Sequence, residues 1–331
     1  MNGIAQSRTV RVLSFLLALH LWCATTLCAQ AWVPDRGEGN LSLTYQSYDV
    51  VGHFDAKGHK NTNGGTQSHA LLTELDYGVA DRIGLFVSLP FIASKYTGPP
   101  SYFVGPYDTH PGPLDDGKYH AAFQDVRFEV RRLWWAGAVP LAPFVGVSFP
   151  THNYETVGEA VPGRHRRDIQ FGVNAGVDLD RVLPGSYVHV RYAYGAAERV
   201  NNFPFTRSNI DVEGGYAAIP HVVIRGLINK QIRHQGPSLD QLAADWVNHD
   251  RFIGPSYLDL GGGVSLSVTG SADVYALWVD TVSGSNGAHR SRTLAFGVTL
   301  GLWSHLRRLG GAAGGVGHAG GESHSVMAQF P

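Results

Sequence analysis

The chain has 331 residues, a formal net charge of −1, two cysteines and only 16% charged residues. Near-neutral net charge gives nothing to suggest a nucleic-acid partner, and two cysteines in such a length exclude a disulfide-built scaffold. Glycine takes 41 of 331 positions, about 12% against a usual ~7%, which together with the low charge suits a barrel better than a soluble domain.

In chain order, Arg8 and Arg11 precede an apolar run from Val12 to Ala24, and Ala29, Gln30 and Ala31 offer a small-x-small cleavage site. This is the build of a secretory signal peptide over residues 1–31. It holds both cysteines, Cys23 and Cys28, so export leaves a cysteine-free chain of net charge 24 − 27 = −3. No later stretch reaches the ~18 apolar residues that a spanning helix needs.

Beyond residue 31 the dominant pattern is alternation. Leu71, Thr73, Leu75, Tyr77 and Val79 stand opposite Ala70, Leu72, Glu74 and Asp76, and Ile83, Leu85, Val87 and Leu89 come directly after. Val126, Phe128 and Val130 alternate with Asp125, Arg127, Glu129 and Arg131. Ile169, Phe171, Val173 and Val177 alternate with Gln170, Asn174 and Asp178, and Leu294, Phe296, Val298 and Leu300 with Thr293, Gly297 and Thr299. A period of two places such sets on opposite faces of a strand.

Alternation fits two architectures. In a soluble sandwich the apolar face is the core; in a membrane barrel it meets lipid and the polar face lines the lumen. Connection lengths separate them. Short breaks fall near Ala80–Arg82, Ala136–Pro140, Asp180–Gly185, Ala218–Pro220 and Thr269–Ser271. Long ones fall near Val51–Gln67, Thr97–Tyr119, Pro150–Arg167, Glu198–Thr206, His234–Pro255 and Ser283–Ser291. The two kinds alternate strictly, as tight periplasmic turns and long outer loops do. Six long and five short connections predict an all-β, antiparallel transmembrane β-barrel of twelve strands over 32–303. Both termini are expected to be periplasmic, in a Gram-negative-type outer membrane. Tyr45, Phe91, Tyr96, Trp134, Trp135, Phe149, Tyr187 and Tyr257 lie near predicted strand ends, as interfacial girdles do. Glycines inside strands, among them Gly215 and Gly261, suit the bends that closure needs. Residues 304–331, with seven glycines, read as a flexible periplasmic tail.

Several motifs together resemble a known group. They are Trp32, Pro34, Gly37, Glu38 and Gly39; Tyr77 to Arg82; Ser88 to Phe91; Asp125, Val126 and Arg127; and Phe149, Pro150 and Thr151. These resemble the outer-membrane proteins grouped with the meta-pathway of phenol degradation, over most of the mature chain. The resemblance implies an outer-membrane barrel, some of whose relatives lie beside aromatic-degradation genes. Its motifs mark turns and strand ends and bring no catalytic residues with them.

The predicted lumen face carries both signs: Glu74, Asp76, Asp125, Arg127, Glu129, Arg131, Asp168, Asp178, Arg191, Asp211, Glu213, Arg225 and Asp259. Mixed signs point to cross-strand ion pairs rather than to the one-sign ring of a charge-selective pore. Arg127 and Arg131 beside Glu74 and Asp76, with Asp125, Glu129 and Arg191, are the candidate constriction. Ser238 and Gln241 have capping-box spacing ahead of Leu242 and Trp246, which predicts a short helix able to lie over the mouth as a lid. The loop histidines, among them His53, His59 and His165, have no metal-ligand spacing, so neither metal nor cofactor is expected. His189 alone lies well inside a predicted strand, and no recognisable motif ties a serine to it, so no catalytic residue is assigned. The function expected is a channel for passive uptake of small aromatic or hydrophobic molecules. The alternatives are a non-transporting structural or surface-interaction barrel with a closed lumen, and a rim-located lipid hydrolase. Expected partners are outer-membrane lipid, the solute and the barrel-assembly machinery during insertion.

Overall fold

The structure, a computed structural model, describes residues 33–62, 64–99, 112–238, 251 and 253–302. The predicted signal peptide, the glycine-rich tail, Leu242 and Trp246 lie outside these. The strands are β1 Gly39–Phe54, β2 Lys60–Asn61, β3 Gly65–Ala80, β4 Ile83–Thr97, β5 His120–Phe123, β6 Asp125–Arg132 and β7 Leu141–Pro150. They continue with β8 Asp168–Asp178, β9 Ser186–Val200, β10 Phe203–Ile219, β11 Val222–Gln235, β12 Ser256–Thr269, β13 Ala272–Ser285 and β14 Gly287–Leu302.

Neighbours pair antiparallel in chain order, and β14 pairs with β1, so the sheet closes into a barrel. The two-residue β2 is an appendage of β1, and β5 with β6 forms one interrupted stave along β4. That leaves the twelve staves expected. The interruption at Gln124 has a cause: its amide donates to Pro90 O at 2.9 Å, and proline has no N–H to return to the ladder.

The two faces settle which architecture this is. Inward and buried are Ser42, Thr44, Gln46, Glu74, Asp76, Arg127, Glu129, Arg131, Asn174, Arg191, Asn229 and Asp259. Outward and exposed are Leu43, Leu71, Val145, Phe171, Ile224, Leu260, Phe296 and Leu300. Whole strand faces of exposed apolar side chains suit lipid rather than water, so the soluble sandwich is ruled out.

The rhythm of long and short connections holds only in part. Glu198–Thr206 and Ser283–Ser291 are not long loops. β9 and β10 are joined by Asn201 and Asn202 alone, at φ 49° and 66°, the paired positive φ of a tight hairpin turn. β13 and β14 are joined at Asn286, at φ 52°. β9 and β10 stay paired up to their turn, where apolar and polar residues no longer alternate regularly along the strands.

The girdle assignment also needs correcting. Tyr45, Trp134, Trp135 and Phe149 face outward and are exposed, but Tyr96, Tyr187 and Tyr257 are buried inside. Their parity is that of Ser94, His189 and Asp259, which point into the lumen. The Tyr187 and Tyr275 rings lie where side chains at Gly215 and Gly297, their cross-strand partners, would stand. Those glycines seat aromatic rings.

Candidate functional site

At mid-barrel the ladder registers decide which charges meet. β4 separates β3 from β6, so Asp76 and Arg131 are not direct cross-strand neighbours. Arg131 Nη2 nevertheless donates across β4 to Asp76 Oδ2, and the two side chains are 1% and 2% exposed. Glu129 takes two guanidinium groups, Arg127 at 2.5 Å and Arg191 at 2.8 Å. Arg191 comes from β9, with β7 and β8 between, and its guanidinium also lies 3.7 Å from the Phe144 ring centre. Asp168–Arg207 at 2.5 Å, Glu213–Arg225 at 2.6 Å and Asp259–Arg290 at 2.8 Å extend the pairing. An unpaired buried ion costs several kcal/mol, and the pairing lets so many charges occupy one interior. Glu74 accepts instead from the Ser88 hydroxyl at 3.2 Å.

Six of the predicted constriction residues, Glu74, Asp76, Arg127, Glu129, Arg131 and Arg191, are therefore buried on the lumen face. Asp125 shares that face but sits at its loop end, accepting from Tyr154 Oη at 2.5 Å and from the Arg166 amide at 3.4 Å. Asp178 does not join the lumen: it is exposed where β8 ends at a turn. Arg207 and Arg290 complete pairs that sequence reasoning missed, because they lie beside or within segments read as loops. His189 is buried on the lumen face, with Glu213 opposite it in the register.

The lumen is not polar throughout. Leu227, Tyr275, Leu277, Val279 and Ala295 pack together inside β11 to β14, and Ala70, Leu72 and Ile92 form a second apolar group inside β3 and β4.

At the loop end residues 151–167 fold inward between β7 and β8 as a plug, with Gly158 and residues 160–163 buried. Glu159 reaches His53 at 3.5 Å, and its carbonyl accepts from Thr66 Oγ1 at 3.1 Å. Ala160 and Val161 pack with Tyr96 and Leu114, and the Gln124 side chain donates to Pro162 O. Asp115 Oδ1 accepts from the Glu159 and Ala160 amides at 2.8 and 3.2 Å. On the far flank Arg166 Nη1 donates to Arg251 O at 2.8 Å, Arg251 Nη2 to His165 O at 3.1 Å and Arg164 Nη1 to Ile253 O at 3.3 Å. Burial pushes the Asp115 carboxyl up to about 6. Burial, with Arg164 and Arg207 nearby, holds Arg166 well below the usual guanidinium range. This plug was not foreseen; the lid expected around Leu242 and Trp246 falls outside the described residues.

No family model and no curated protein matches the sequence. Solved structures do match. The chain is similar to an outer-membrane channel from Pseudomonas putida, at 12% identity and a TM-score of 0.61, over 82% of this chain and 98% of that one. Looser likenesses are to the β-domain of the Bordetella autotransporter BrkA (12% identity, 80% and 98% covered, TM-score 0.44) and to a variant of the TodX monoaromatic hydrocarbon channel (7% identity, 85% and 93% covered, TM-score 0.38). The first likeness is one of fold, and the other two are too distant to add to it. By fold, the chain is a twelve-stranded barrel of the outer-membrane type.

Proposed function

We propose that the chain is a plugged outer-membrane channel for passive uptake of small, uncharged apolar or aromatic molecules. The observation that carries this reading is an amphipathic lumen, with apolar groups beside charges that are mostly ion-paired, under a plug held by a handful of hydrogen bonds. With both signs present and paired, no ring of one sign draws an ion through, and an ion would have to leave water to pass. An uncharged solute meets no such cost along Leu227, Leu277 and Val279. Transport in this reading is diffusion, with no covalent step, and Glu74, Asp76, Arg127, Glu129, Arg131 and Arg191 form its constriction. A cleft of about 1130 Å³ at the loop end, bordered by Phe149, His152, Arg167 and Glu198, offers an approach beside the plug.

The export signal read over residues 1–31, the apolar outer face and the resemblance to the meta-pathway group support an outer-membrane site and this solute class. On the same reading the chain ends are periplasmic, membrane lipid covers the apolar face, and the barrel-assembly machinery inserts the chain. Solute flux into liposomes carrying the full-length protein tests it. Small uncharged solutes should enter faster than potassium chloride, and replacing residues 156–162 by a Gly-Ser linker should raise their flux well above that of the intact protein. A folded barrel that passes nothing in either form would overturn the channel. It would favour the non-transporting barrel, to which the continuous ion pairing is also suited.

A further inference from the structure

We infer that the space between the plug and the barrel wall is a binding chamber for an uncharged, single-ring-sized molecule bearing a hydroxyl or similar hydrogen-bonding group. Its geometry stands alone; its purpose rests on the channel reading.

The chamber measures about 100 Å³ and is bounded by β1, β3, β4, the start of β14 and the plug itself. A single buried water needs only ~10–15 Å³, whereas an apolar cavity of ~150 Å³ takes one benzene ring. The chamber is thus oversized for a structural water and close to the size of one ring.

Its lining is divided. Tyr48, Ser68 and Ser94 bring hydroxyls from three adjacent staves, and Val161, Ile253 and Pro255 bring apolar surface from the plug side and the β12 approach. Ser68 and Ser94, 3% and 2% exposed, share a hydrogen bond of 2.8 Å. A hydroxyl has one proton and two lone pairs, so this pair keeps acceptor capacity for the O–H of a guest. Glu159 and Arg164 also border the space, one of each sign, Glu159 facing His53 and Arg164 bonded to Ile253 O. A charged guest would meet a like charge as well as an opposite one and would lose an ion's hydration, whereas a neutral one gives up only the smaller hydration of a hydroxyl.

Because Glu159, Val161 and Arg164 belong to the plug, a guest packed against them favours the closed arrangement over the open one. Occupancy should therefore slow amide exchange across residues 158–163.

Three probes matched in size distinguish the chemistry: cyclohexanol, cyclohexanecarboxylate and cyclohexylammonium, each titrated onto the full-length protein in lipid nanodiscs and followed by ligand-observed NMR. Cyclohexanol should bind saturably and protect the plug amides, and both ions should bind at least about tenfold more weakly. Ser94→Phe fills the chamber and should abolish cyclohexanol binding. Ala288→Phe fills it from the opposite wall and serves if the first variant does not fold. Equal binding by the ions, or unchanged binding in a folded filled variant, overturns the proposal. Flux without saturable binding removes the chamber and leaves the channel; binding without flux removes the channel and leaves the chamber.

Discussion

The middle of the barrel and its mouth are held together by different chemistry. At mid-barrel the partners are side chains of opposite charge, as in Asp76–Arg131 and Glu129–Arg191, each fixed in place by a strand register. At the mouth, side chains such as Asp115, Gln124 and Arg251 bond mainly to backbone groups of a loop. Opening the first would strand ions in the interior, which is costly. Opening the second releases amides and carbonyls near bulk water, which can take them up. Rigidity and movement are thereby assigned to different parts of the same lumen.

Three measurements can break or sharpen that contrast. Arg131→Met should have the largest effect, because it leaves Asp76 buried without its guanidinium. Unfolding in phospholipid vesicles should show a loss of about 3–5 kcal/mol. Adding Asp76→Leu should recover most of it, and a cost near zero for the single variant would mean that the lumen is wet rather than zipped. Arg251→Ala removes charge-assisted bonds to plug carbonyls, worth about 1.5–3 kcal/mol locally. Amide exchange over residues 158–163 should then quicken by roughly ten- to a hundredfold, with the unfolding midpoint of the barrel unmoved. A midpoint that moved with it would join the two regions into one cooperative unit.

The smallest effect is expected with pH. Asp115 titrates near 6 in the folded plug against an ordinary 3.8, so the folded state favours its protonated form. The stability it contributes is complete below about 3.8 and is lost as pH rises through about 6. Corrected for intrinsic rates, plug exchange should slow between about pH 7 and pH 5, and Asp115→Asn should flatten that dependence. Exposed Asp116 shifts the other way, down to about 2, and acts outside this window.

Much of the barrel was legible because lipid demands an apolar side chain at every second position. Leu71 to Val79 and Leu294 to Leu300 carry that demand openly, and the polar parity beside them named Glu74, Asp76, Arg127 and Arg131 as lumenal. Where lipid stops, so does the pattern. The hairpins at Asn201–Asn202 and Asn286 were read as loops, although Asn-Asn and Asn-Gly are turn signals in their own right. Partners were not legible, since Arg131 skips a strand to reach Asp76 and registers are not written in the sequence. Nor was the plug: Gly158 to Gly163 has no periodicity, and its burial comes from contacts with residues distant in the sequence, among them His53, Thr66, Tyr96, Leu114, Asp115 and Gln124.

Closure has a consequence for how the molecule is made. The first stave meets the last, and the Ser42 and Thr299 hydroxyls, 257 residues apart, bond at 2.9 Å. Joining such distant points in a random chain would cost about 5 kcal/mol in loop entropy. Growth hairpin by hairpin avoids most of that, because each new strand pairs with its immediate predecessor and carries the free end around the ring. The edge of β1 nonetheless stays unpaired until β14 has been made, offering its amides and carbonyls to any passing strand. The seam between the oldest and youngest strands is thus both the slowest contact to form and the one on which escape from misassembly depends.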